Sequence, residues 1–179
     1  MFASALQEAL AERMPAPADR AAFVNETLAR ADEALARAWA LRRLADRYQA
    51  RDVTGLSRRS SQALTTLVDD HTAALGAAVD VLIARVTPLV AAAEKIDDAS
   101  VGVAGSEPRL LSIMEMFTAV NAWHTDAHAL LAGARANTIT PAAAASMPSA
   151  REWLTRLHHI QRALKQPGFG HTTFTPASM

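Results

Sequence analysis

Residues 19–51 read DRAAFVNETLARADEALARAWALRRLADRYQAR. Val24, Leu28, Ala31, Leu35, Ala38, Leu41, Leu44 and Tyr48 recur at spacings of three and four, which places them on one face of an α-helix. At about 1.5 Å rise per residue the stretch makes a helix roughly 50 Å long. The same period continues on both sides of it, and no run alternates over enough residues to make a strand.

Before it, Ser4 with Gln7 resembles a capping box for a short helix carrying Leu6, Leu10 and Met14, which Pro15 and Pro17 end. After it, Thr54-Gly55 marks a turn. A third helix starts at Ser57, Ser60 or Ser61 and carries Leu64, Leu67, Val68, His71, Leu75, Ala78, Val79, Leu82, Ile83 and Val86. Pro88 is expected to kink or break it. Residues 97–108 (DDASVGVAGSEP) read as a loop, with Ser106 and Pro108 opening a fourth helix. Its stripe is Leu110, Met114, Phe117, Val120, Asn121, His124, Ala127, His128 and Leu131, and Asn137 is its expected stop. Thr140-Pro141 starts an Ala-rich turn that Pro148 closes. Ser149 with Glu152 caps a last helix carrying Trp153, Leu157, Ile160 and Leu164, and Pro167-Gly168 ends it.

The expected fold is all-α: an up-and-down helical bundle with three long helices and two or three shorter ones, short turns placing consecutive helices antiparallel. Residues 1–168 form one domain, with 1–16 as a short N-terminal helix and 169–179 as an extended tail. With 41 alanines among 179 residues, helices are expected to approach closely, large side chains are few, and self-association is expected to supplement the core.

Composition excludes several classes. Cysteine is absent, so disulfides, thiolate metal sites and Cys nucleophiles are excluded. The formal net charge is zero, which argues against an overall basic nucleic-acid binder. No sufficiently apolar uncharged stretch reads as a bilayer span, and Glu8, Glu12 and Arg13 are wrong for a signal peptide, so a cytoplasmic protein without a membrane partner is expected. Sixteen arginines against two lysines, with so much alanine, suggest a GC-rich genome, bacterial or phage.

Histidine placement is the most specific chemical feature. His124 and His128 lie one turn apart on one helix face, and His71 takes an inward position on another helix. Such a pair can hold a divalent ion such as zinc at about 2.0–2.1 Å, with His71 as third ligand. Asp126 points away from the pair, and Asp69 and Asp70 are candidates to orient His71. Over those three residues alone the set resembles the three-His sites of DinB-like four-helix bundles. Ala129-Leu130-Leu131 after the pair departs from that family, and the stretch between His71 and His124 is too short for a further bundle helix, so no membership follows. No Glu-x-x-His, His-Glu-x-x-His, Gly-x-Ser-x-Gly or Gly-rich phosphate string is present.

Charge is segregated. Residues 37–59 carry seven arginines against two aspartates, whereas 66–126 carry nine acids against three bases. Arg43, Arg47 and Arg51 form a ridge that suits a phosphate backbone or acidic partners within the fold or across a subunit interface. Trp39, beside the stripe of the second helix, and Trp123, beside that of the fourth, are candidate interface anchors. The leading expectation is therefore a non-enzymatic interaction or assembly protein without a cofactor, binding itself or another protein through Trp39 and the arginine ridge. A zinc-type enzyme or sensor built on His71, His124 and His128 is the alternative, and nucleic-acid binding is third.

Overall fold

A computed structural model describes residues 2–49, 58–97, 101 and 109–170, and for 48, 49 and 58–61 the backbone alone. The expectations for Thr54-Gly55, Arg51, Ser57, the Tyr48 side chain, Ser106, Pro108 and the tail from 171 onward lie outside what is described, whereas Ser60 and Ser61 fall inside a helix that already runs from Arg58 and do not open it. The elements are α1 (Phe2–Arg13), α2 (Pro17–Gln49), α3 (Arg58–Glu94), α4 (Ile113–Ala136), α5 (Pro141–Ala145) and α6 (Ala150–Lys165). No strand occurs among the described residues. The all-α bundle read from the periodicity is the fold.

Four helices form a ring in the order α2, α3, α6, α4, and cross-links give their directions. On α2 and α3, Arg85 pairs with Glu26 at 3.2 Å and Arg37 with His71 at 3.3 Å, so the two run antiparallel. On α2 and α4, Arg135 donates to Asn25 at 2.7 Å while Trp39 packs edge-on against Phe117 at 4.5 Å, again antiparallel. Arg151–Glu94 at 2.8 Å and Lys165–Asp80 at 3.6 Å make α6 antiparallel to α3. It follows that α3 and α4 run parallel, diagonally across the bundle. Alternation of consecutive helices holds for α2–α3 and for α4–α6, which short connections join. α3 and α4, by contrast, do not alternate, and Val101, between them in the chain, is buried in the core.

α2 faces its neighbours with Val24, Ala31, Ala34, Ala38, Leu41 and Ala45, all buried. Small side chains at these positions let α3 and α4 approach α2 closely. The core otherwise depends on a few large groups. Trp123 stacks on Trp153 at 5.0 Å and 6° between planes, and its Nε1 donates to the Trp153 carbonyl at 3.0 Å. α1 closes one end through Leu6 and Leu10, with Phe2 5.9 Å from the Trp153 ring.

Several local expectations are corrected. Ser4 lies inside α1, which begins at Phe2, so it is not a cap. α3 continues through Pro88 without a break, since one missing N–H leaves the bonds of the flanking turns in place. Over Gln62–Glu94 α3 is apolar and long enough to cross a bilayer, contrary to the expectation that no stretch would be. In this fold its apolar face packs on α1, α2 and α6. α4 starts at Ile113, with Ser112 as cap, and its buried face is Ile113, Met116, Phe117, Val120, Trp123, Ala127, Leu130, Leu131 and Ala134. That face is rotated from the expected stripe, leaving Leu110 and Met114 40% exposed. Phe169 does not begin an extended tail: it sits in a turn, 4% exposed. Gly170 follows at φ +79°, where a Cβ would lie 2.9 Å from Val68, so a side chain there meets both strain and a clash.

Candidate functional site

Two places gather chemistry. The first lies on the seam between α2 and α4. Asp32 projects from α2 beside the buried Ala31, and its Oδ1 accepts from Nε2 of His124 at 2.7 Å and from Nε2 of His128 at 2.8 Å. The helical spacing of four brings the two imidazoles together, with ring centroids 4.4 Å apart. His124 is the more sheltered, its side chain 20% exposed against 42% for His128 and 59% for Asp32. Burial raises the Asp32 carboxyl, but the hydrogen bonds and charge of the two histidines outweigh it and hold Asp32 below its ordinary value of 3.8. The ligand atoms of Asp32, His124 and His128 all lie within 4.8 Å of one another.

His71 does not join this group. Its Nδ1 faces Nη1 of Arg37 at 3.3 Å on the other side of α2. Asp32 and Arg37 are five residues apart, about 140° around the helix axis, so α2 shows one to α4 and the other to α3. Asp126, as expected, points away from the pair and is taken by Arg156 at 2.9 Å. Sequence reasoning missed Asp32. Its signal was an acid at the edge of the α2 stripe, but it carries meaning only once α2 is known to be the neighbour of α4.

The second place is a groove of about 760 Å³ along the outer faces of α4 and α6. Leu111, Met114, Ala119 and Ala122 supply apolar surface, and Thr155 and His159 face them from α6. The charged rim is internally matched. Arg109 meets Glu115 at 3.1 Å, and Arg156 meets Glu152 at 2.7 Å as well as Asp126. The Ser112 backbone N–H and Arg109 hold the Glu115 carboxyl below its ordinary range. A rim of closed pairs offers no spare charge to a strongly ionic ligand, so the groove suits apolar or amphipathic surface.

On the α2 side of α4, Trp39 is 39% exposed over the edge of Phe117, which lies one helical turn from Met114. The Arg42 guanidinium lies 5.1 Å from the Trp39 ring centre and 4.7 Å from that of Phe117. Arg43 and Arg47 are exposed and make no ion pair among the described residues. The groove itself left little trace in the sequence, because it depends on the outward rotation of Met114.

Comparison with known proteins gives no match: no family model, no curated protein and no solved structure is similar to this chain.

Proposed function

We propose that the protein is a non-enzymatic helical interaction module that self-associates through the α4–α6 groove and the apolar surface beside it. One observation carries the reading: Met114, about two-fifths exposed, lines a large groove whose rim charges are already paired, and Leu110, equally exposed, stands next in the chain to the lining residues Arg109 and Leu111. Exposed apolar surface next to a groove marks an interaction site more often than scattered apolar residues do. Helix-in-groove docking buries such surface on both partners.

Self-complementary shape favours a second copy as the occupant, and charge does not oppose it. The chain carries equal numbers of acids and bases, so two copies meet without net repulsion. In a two-fold arrangement the outer face of one α4 enters the groove of the other, a self-complementary contact.

Light scattering over a dilution series tests this. The wild-type chain is expected to pass from monomer to dimer with concentration. Met114→Glu and Ala122→Arg, both at exposed positions, are expected to weaken association by about tenfold or more while leaving helicity unchanged. A monomer at every concentration contradicts the reading, and so does association that neither substitution alters.

A further inference from the structure

We infer that Asp32, His124 and His128 form a binding site for one divalent transition-metal ion of the zinc type, separate from the groove. The present hydrogen bonds already resemble such a site in shape. Two Nε2–H groups converge on a single carboxylate oxygen, at 2.7 and 2.8 Å. A cation held by the same three atoms takes a lone pair from each, and every imidazole then carries its one proton on Nδ1, either shifted there from Nε2 or left behind when a doubly protonated ring releases its Nε2 proton to solvent. Ligand distances of about 2.0–2.2 Å in tetrahedral geometry require ligand atoms roughly 3.3–3.5 Å apart. The carboxylate therefore has to retreat by about 0.5–0.8 Å, which the open exposure of Asp32 permits, and the ligand atoms, already within 4.8 Å of one another, close on the ion by side-chain rotation. Two neutral imidazoles and one carboxylate favour a borderline ion over magnesium or calcium, which take oxygen ligands.

Three protein ligands leave a position open to water. The ion would tie α2 to α4, since Asp32 lies on the one and both histidines on the other, 92 residues on from Asp32 to His124. A bare His-x3-His pair on an exposed helix collects metal adventitiously, so the dependence on Asp32 is the discriminating feature. His71, on the far side of α2, plays no part.

Calorimetric titration of Zn²⁺ into untagged, chelator-treated protein provides the test. One ion per chain is expected. Asp32→Asn, which keeps the shape and removes the charge, and His124→Ala are each expected to weaken binding by about tenfold or more, with His71→Ala unchanged. Zn²⁺ is also expected to raise the melting temperature of wild type and not of Asp32→Asn, as binding to the folded chain alone requires. No binding, binding indifferent to Asp32→Asn, or equal loss in His71→Ala overturns the inference.

Discussion

Thr27 is fully buried, and its hydroxyl has two tasks. It donates to the Phe23 carbonyl at 2.7 Å and accepts from Arg85 Nε at 2.9 Å, joining α2 to α3. Arg85 also reaches the Phe23 carbonyl at 3.1 Å and lies 4.6 Å from the Phe23 ring centre. Thr27→Val keeps the shape and removes the acceptor, so chemical denaturation should show a loss of about 1–2 kcal/mol. His158 gives a pH dependence. Burial is the main reason its imidazole loses its proton more readily than the ordinary 6.5. The unfolded chain therefore holds that proton more tightly, and stability falls as pH drops through the range just below 6.5. Melting measured from pH 7.5 down to about 5.5 should show a shallower loss for His158→Gln than for wild type. An equal slope in the two proteins would remove His158 from the account.

At the scale of the element, α4 owes its start to Ser112. Its Oγ accepts from the Glu115 backbone at 3.1 Å, and Glu115 Oε2 accepts from the Ser112 backbone at 2.8 Å. This box fixes where Met114 and Glu115 face the groove. Ser112→Ala should cost about 1 kcal/mol, a melting shift of roughly 2–4 °C for a domain of this size. The end of α4 was legible from its residue: Asn137 closes the helix in the left-handed region at φ 56°. Thr140 and Ser149 were equally legible, because a hydroxyl before an apolar period satisfies the first free N–H groups. The start of α4 and its rotation were not. Leu110 and Met114 have the same spacing relative to Phe117 whether they face core or solvent, and Trp123, placed beside the stripe, is the core residue. Periodicity fixes the relative angle of side chains on a helix, while the inward direction depends on the neighbours.

For the whole molecule, the decisive fact is the diagonal placement of α3 and α4. It puts α2 between them, which separates His71 from His124 and lets Asp32 complete the histidine pair instead. The HxxxH spacing alone revealed two of the three grouped residues; the third required knowing the ring order, which local sequence does not encode. The same ring leaves the outer faces of α4 and α6 forming a groove with exposed apolar residues at its edge. If a second copy fills it, stability is linked to concentration, and the melting temperature rises with protein concentration. Hydrogen exchange, compared at concentrations well below and well above the association midpoint, reads the surface directly. The account predicts slower exchange on association confined to residues 109–122 and 152–159, with the Asp32 face unchanged. Protection that appears elsewhere while those two stretches stay as they were, or no association at any concentration, would contradict it.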